Sequence, residues 1–226
     1  MTGDRIVQLS ERRARASEIL LGLKAVHCNL EKPFIFTSGW ASPVYVDCRK
    51  LISTTWERRE VVHLAAEEIG RTVGRERFDL VAGGETAGIP FAAWIADYFF
   101  VPMVYVRKQP KGFGRQSQIE GVLEAGQRVV LVEDLATDAR SKVSFCRALQ
   151  QAGAVVEHAV VVFYYGIYPE AERNLREVGV RLHALTDWQT TLEVAEARGY
   201  FTPEQAKVVR EFLRAPEAWS KAHGGA

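Results

Sequence analysis

The sequence predicts an α/β fold, with a central, mostly parallel sheet flanked by helices, and three observations point to it. Between Leu80 and Leu185, short apolar runs alternate with longer amphipathic stretches. The runs are apolar at successive positions and therefore on both faces, as strands covered by helices on each side must be. The segments between them reach a dozen residues or more, the length that a crossover between parallel neighbours requires.

Each element has its own local reason. Over residues 4–26, Ile6, Leu9, Ile19, Leu20 and Leu23 alternate with charges as on an amphipathic helix, and Gly22 weakens its last turn. Residues 34–37 and 44–46 are aromatic and β-branched runs separated by Ser38, Gly39, Ser42 and Pro43, which predicts a two-stranded hairpin or hood. Thr54 with Glu57 three residues on reads as a capping box, opening a helix whose stripe is Val61, Val62, Leu64, Ala65, Ile69 and Val73. Strands follow at 80–82, 103–106, 129–132, 159–163 and 180–185, and helices at 89–99, 140–152 and 170–178. The tail over 186–219 reads as two short helices, the second opened by Thr202-Pro203-Glu204-Gln205 with proline at its first position.

Composition narrows the function. A chain of 226 residues with 47% hydrophobic side chains fits one domain of ordinary size, with hood elements at about 1–50 and C-terminal helices at about 187–219. Lys plus Arg number 29 against 28 for Asp plus Glu, so no global field recruits nucleic acid or an anionic membrane. Cys28, Cys48 and Cys146 are odd in number and lack C-x-x-C spacing, which suggests neither a disulfide framework nor zinc and makes the reducing cytoplasm the default compartment. Arginines and glutamates interrupt the N-terminal stretch, so it reads as mature protein rather than a signal peptide. The longest weakly charged stretch, 91–106, is broken by Asp97 and Pro102 and falls short of the roughly 20 residues a membrane span needs.

Three loops can carry chemistry. In Val129-Val130-Leu131-Val132-Glu133-Asp134-Leu135-Ala136-Thr137-Asp138-Ala139-Arg140-Ser141 an apolar strand ends in two carboxylates, and a loop of small and hydroxyl residues leads into a helix. In open α/β sheets ligands bind beyond the carboxyl ends of the strands, and a helix N-terminus suits a phosphate. The carboxylates would then face sugar hydroxyls or magnesium; the simpler alternative is that they cap the next helix. Gly83-Gly84-Glu85-Thr86-Ala87-Gly88 also joins a strand to a helix and is either a tight turn or a diphosphate-binding nest. Ile89-Pro90 rule out a P-loop, which needs Lys and Ser or Thr there. Arg107-Lys108-Gln109-Pro110-Lys111-Gly112-Phe113-Gly114-Arg115 holds four cations and no anion on a long, glycine-hinged loop. Such a loop can close as a lid over a polyphosphate, or can simply be solvated. His27, His63, His158, His183 and His223 are dispersed, so neither a Ser-His-Asp nor a Cys-His arrangement is predicted.

Together these segments resemble the type I phosphoribosyltransferases, and within them the orotate phosphoribosyltransferases. Phe36-Thr37-Ser38-Gly39 followed by Ser42-Pro43-Val44-Tyr45-Val46-Asp47-Cys48-Arg49 is similar to the family's N-terminal hood. Arg107-Lys108 with Lys111 and Gly114, followed by Ile119-Glu120-Gly121, is similar to its catalytic lid, and residues 130–141 resemble its signature for 5-phosphoribosyl 1-diphosphate. The resemblance implies a magnesium-dependent transfer of ribose 5-phosphate to N1 of orotate, with Glu133 and Asp134 on the ribose hydroxyls and Leu135, Ala136, Thr137, Asp138, Ala139, Arg140 and Ser141 around the 5′-phosphate. It implies that Arg107, Lys108 and Lys111 clamp the pyrophosphate, supported by Glu85 and Thr86 of the glycine turn, with Lys108 acting across a homodimer interface. Orotate would meet Thr137, Tyr45, Val46 and Arg49, and magnesium would be held mainly through the substrate, with Asp134 as a protein ligand.

The sequence departs from the family pattern in four places. Phe113 replaces a lid histidine, and Thr137-Asp138-Ala139-Arg140-Ser141 stands where Thr-Thr-Gly-Gly-Ser is usual. Thr37 and Ala87 stand where some members have lysine, and Phe163-Tyr164-Tyr165-Gly166 lacks the arginine that often meets the orotate carboxylate. A buried carboxylate needs a cationic or N–H partner, so Arg49 or another group of the hood is expected to substitute. Two other readings are a transferase for a different base and a silent regulator that binds the diphosphate donor.

Overall fold

The computed structural model describes residues 2–36, 38–111 and 118–226, with side chains described from residue 11 onward. In chain order the elements are α1 (Thr2–Gly22), β1 (Val26–Cys28), β2 (Phe34–Ile35), β3 (Ala41–Ser42), β4 (Val44–Val46), α2 (Trp56–Thr72), β5 (Leu80–Gly84), α3 (Gly88–Phe99) and β6 (Met103–Val106). There follow β7 (Ile119–Glu120), β8 (Arg128–Ala136), α4 (Arg140–Gln151), β9 (Val155–Tyr164), α5 (Glu170–Glu177), β10 (Arg181–Asp187), α6 (Trp188–Ala197), α7 (Pro203–Arg214) and α8 (Pro216–Ala222). They form two units, Met1–Leu51 with Thr186–Ala226, and Ile52–Leu185.

In the first unit α1 buries Ala16, Ile19 and Leu20 and packs on α6. The Ser17 hydroxyl inside this contact lies 2.7 Å from that of Thr186 and 2.8 Å from that of Thr191, so three buried hydroxyls satisfy one another. The expected hairpin between residues 34–37 and 44–46 does not form: β2 pairs antiparallel with β3, and β4 with β1. The reason is local, because the Ser42 hydroxyl donates to the Val44 carbonyl (2.7 Å) and accepts from its N–H (3.2 Å), turning the chain between β3 and β4. Residues 26–28 are strand rather than helix end, since α1 stops at Gly22 and Lys24 takes a left-handed φ of 53°. The tail holds three helices, not two. Pro216 ends one and begins the next, and Ala215 before it leaves the helical region at φ −143°, ψ 62°. The capping box at Thr202 and Gln205 forms, with bonds of 3.2 and 2.9 Å.

The second unit is the parallel sheet, in the order β10-β9-β8-β5-β6-β7. β5 pairs parallel with both β6 and β8, and β8 with β9; the unforeseen β7 adds antiparallel to β6. Chain order runs outward from β5 to β6 on one side and from β8 to β9 on the other, so the β5/β8 boundary is the switch point where such sheets bind ligands. A side chain at Gly83 would meet Ala92 of α3 at 2.9 Å, and one at Gly84 would meet Phe145 of α4, which places α3 and α4 on opposite faces of the sheet. The stripe Val61, Val62, Leu64, Ala65, Ile69 and Val73 is buried as expected. The cap of α2 is Thr55, without a side-chain bond, so the expected Thr54–Glu57 box is not made: with Trp56 first in the helix, Glu57 comes one position too early. Trp188 is core, whereas Trp56 is 76% exposed.

Two of the dispersed histidines meet across neighbouring strands, His158 Nδ1 lying 3.0 Å from His183 Nε2. Burial, then the neighbouring His158, Arg181 and Arg71, pushes His183 down to about 4, and burial lowers His158 as well. The unfolded chain therefore takes up this proton more readily, so the stability His183 contributes is complete above about pH 6.5 and is lost as pH falls toward 4. His183→Asn is expected to lose less melting temperature than wild type between pH 7 and pH 4.5, by roughly 2–4 °C once partial exposure is allowed for. Calorimetric melts at both pH values check it.

Candidate active site

Two loops of the second unit leave the sheet at its switch point. Gly83 and Gly84 belong to β5 and Gly88 begins α3, so the turn proper is Glu85-Thr86-Ala87, with a cis peptide between Glu85 and Thr86. These glycines serve close packing. A side chain at Gly83 would lie 2.8 Å from the Gly88 carbonyl, and one at Gly84 or Gly88 would collide with Glu133 Oε1. Gly83 pairs in register with Val132.

Glu133 and Asp134 lie inside β8, not beyond its end, since pairing with β9 continues to Ala136. Alternation along the strand sends adjacent side chains to opposite faces. Glu133 goes to the α4 face and is 6% exposed, and Asp134 is half-buried. Glu133 Oε2 lies 3.0 Å from the ammonium of Lys142, a residue that is itself 6% exposed, while Oε1 has no hydrogen-bond partner among the described residues. Burial pushes the Glu133 carboxyl up to about 7 against the pull of Lys142, and nearby Asp134 adds to the rise. The alternative that these carboxylates cap α4 is excluded by position, because the cap residue is Ala139.

Residues 137–139 then form the loop, and Arg140 and Ser141 open α4. Ala139 is buried and left-handed at φ 61°, a conformation that costs a residue with a Cβ about 1–2 kcal/mol. Asp138 supports it, accepting from the Arg140 N–H at 3.1 Å and facing the Arg140 guanidinium at 3.3 Å, while Asn174 donates to the Asp138 carbonyl at 3.3 Å. Leu135 and Thr137 are half-buried, Ala136 is buried, and Arg140 and Ser141 are exposed at the start of α4. A cleft of about 480 Å³ runs along α4 and α5, lined by Ser144, Arg147 and Asn174 among others; of the candidate residues, Arg140 alone borders it.

The two described ends of the basic loop are zipped together. Arg107 N–H donates to the Gln118 carbonyl (2.7 Å), the Gln118 amide returns a bond to the Arg107 carbonyl (3.1 Å), and Arg107 pairs with Glu120 (3.3 Å). Lys108 N–H donates to Glu85 Oε2 at 2.7 Å, which brings the start of the basic loop to the glycine turn. Lys108 and Lys111 are exposed, while Gly112, Phe113, Gly114, Arg115 and, in the hood, Thr37 lie outside the described residues.

The candidate orotate residues of the first unit cluster on β4 and just after it. The Arg49 guanidinium lies 2.6 Å from Asp47 Oδ1 and donates to the Tyr45 hydroxyl at 3.2 Å. The Tyr45 ring packs 5.7 Å from that of Phe34, and Val46 is buried in its pair with Val26. All three cysteines are free, and burial raises Cys28 to about 11 and Cys146 to about 12, which leaves neither a nucleophile at neutral pH.

Residues 56–193 match the sequence model of the phosphoribosyl transferase domain. The chain belongs to the phosphoribosyltransferase family. It is 50% identical over 205 residues to the orotate phosphoribosyltransferase of Dinoroseobacter shibae, covering 91% of each chain. The crystal structure of orotate phosphoribosyltransferase from Aeropyrum pernix superposes with a TM-score of 0.70 at 32% identity, over 82% of this chain and 99% of that one. Leishmania donovani UMP synthase gives a TM-score of 0.77 at 27% identity over 89% of this chain, which spans only 42% of the synthase. In this phosphoribosyltransferase the sequence reading leaves out Lys142, the buried partner of Glu133. Its signal was present, since a lysine beside Val143, Phe145 and Cys146 occupies a position on the apolar stripe of α4.

Proposed function

We infer that this phosphoribosyltransferase is an orotate phosphoribosyltransferase, joining orotate to 5-phosphoribosyl 1-diphosphate to give orotidine 5′-monophosphate and pyrophosphate in pyrimidine synthesis. The observation that carries the donor half is the loop after β8, where two adjacent carboxylates precede a tight turn into the N-terminus of α4. The base half rests on 50% identity to a relative that bears this activity's name.

In the reaction the orotate N1 lone pair forms the bond to ribose C1′ while the C1′–oxygen bond breaks and its electron pair leaves with pyrophosphate. Residues 137–141 hold the 5′-phosphate through backbone N–H groups, and Asp134 takes the ribose hydroxyls, while Glu133, turned to the opposite face of β8 and buried against Lys142, acts through that partner rather than on the sugar. Arg107, Lys108 and Lys111 stabilise the charge developing on the leaving group, a role that electrostatic catalysis requires at bond breaking. No general base is needed when N1 arrives deprotonated. Among the described residues no three His, Cys, Asp or Glu side chains are grouped to hold a metal. Half-buried Asp134 is the protein ligand proposed for magnesium, which would be carried mainly on substrate oxygens, the usual habit of this ion. Bound there, it would neutralise diphosphate charge. The enzyme is proposed to work as a homodimer in the cytoplasm, in keeping with its free cysteines; no described helix is long and apolar enough to cross a membrane.

The test is the fall in ultraviolet absorbance as orotate is consumed with magnesium and the donor, beside uracil and hypoxanthine reactions followed by chromatography. Orotate-specific turnover is expected; turnover of another base would reassign the specificity, and donor binding without turnover would make the protein a regulator. Arg49→Ala is expected to raise the orotate KM about tenfold or more, as loss of a charge-assisted partner does, with the donor KM little changed. An unchanged orotate KM would exclude Arg49 as the carboxylate partner.

A further inference from the structure

The ion pair between Glu133 and Lys142 sits where both loops begin. Glu133 Oε1 is pressed against Gly84 and Gly88, which bound the glycine turn, so that no side chain fits at either position. Its other oxygen meets Lys142 at 3.0 Å, and the same ammonium lies 3.4 Å from the Ser141 hydroxyl in the phosphate loop. Both charged groups are more than nine-tenths buried. Two packed hydrophobic residues would stabilise the fold as well or better, so such a pair is weak evidence for a stabilising role. A buried pair does enforce one geometry, because neither partner can leave without stranding a charge.

We propose that Lys142 is a positioning residue for the transfer reaction. Through Glu133 and Ser141 it fixes the turn that faces the diphosphate against the loop that holds the 5′-phosphate. The donor spans these two anchors, so their separation sets where ribose C1′ lies, and a displacement of about 1 Å can cost a hundredfold in rate. The inference rests on the donor-binding reading of the two loops and adds to it a residue that does not itself touch substrate.

The experiment compares wild type, Lys142→Met and the double variant Glu133→Gln/Lys142→Met. The readouts are melting temperature, calorimetric donor affinity with magnesium in the absence of base, and separate Michaelis constants for donor and orotate. Lys142→Met strands the carboxylate and is expected to melt lower; the double variant holds no buried charge at this position and is expected to recover the melting temperature. Positioning predicts that the double variant still shows a donor kcat/KM reduced roughly ten- to a hundredfold, with an orotate KM within about twofold of wild type. Recovery of donor kinetics together with the melting temperature would overturn the proposal, as would an equal rise in both Michaelis constants. Wild-type protein that fails to bind donor would instead overturn the donor reading, and one that binds donor but ignores orotate would overturn only the choice of base while leaving donor affinity to report on Lys142.

Discussion

Lys108→Ala is expected to lower kcat about a hundred- to a thousandfold while the donor KM moves only a few-fold, the loss typical of removing one preorganised charge from a transition state. The argument is electrostatic. Negative charge on the pyrophosphate grows as the C1′–oxygen bond breaks, so a cation that meets it there contributes more to the transition state than to the bound substrate. The structure anchors the backbone of Lys108 through Glu85 and leaves its side chain exposed at the start of the basic loop, where the proposed role would have it meet the leaving diphosphate. Steady-state kinetics with both substrates varied give the split. A variant whose defect lies wholly in donor KM would make Lys108 a uniform binding group.

Gly88→Ala is expected to destabilise the protein by about 2–3 kcal/mol, as overpacking does, and to cut donor kcat/KM by at least tenfold. An added Cβ would lie 2.7 Å from the Val132 carbonyl of β8, a backbone atom in the middle of the sheet, and would strike the Glu133 carboxylate. Helix propensity favours alanine by up to about 1 kcal/mol, which is too little to offset the clash. Denaturant unfolding and donor kinetics measure the two losses. A neutral substitution would mean that α3 can move away from β8 at its N-terminus.

The strands and helices of the second unit were legible because their signals are periodic and local. Both faces of β5, β8 and β9 are apolar, and the stripe of α2 falls at helical spacing. The smaller elements were legible only in part. β2 and β4 lie within the runs read as strands at 34–37 and 44–46, but two-residue β3 and β7 have no period to read, and the pairing was decided by a serine side chain turning the chain at residues 42–44 and by the zipped ends of the basic loop. The capping box at Thr202 was found where that at Thr54 was not, because proline at the first helical position marks the start of α7. Nothing comparable marks the start of α2.

The candidate site divides along the same line. An acidic pair late in a strand, a glycine turn and a basic loop are contiguous stretches of chain, so they could be picked out as candidates directly from residue order. Contacts between residues far apart in the chain could not. That Glu133 turns away from its neighbour Asp134 to pair with Lys142, that Glu85 anchors the basic loop at Lys108, and that His158 meets His183 all depend on which strands lie side by side. Residue type and spacing therefore determined the fold class and the family. Tertiary packing decided which carboxylate is buried, because sheet register and helix placement set the distance between charges, and distance and burial set what each charge can do.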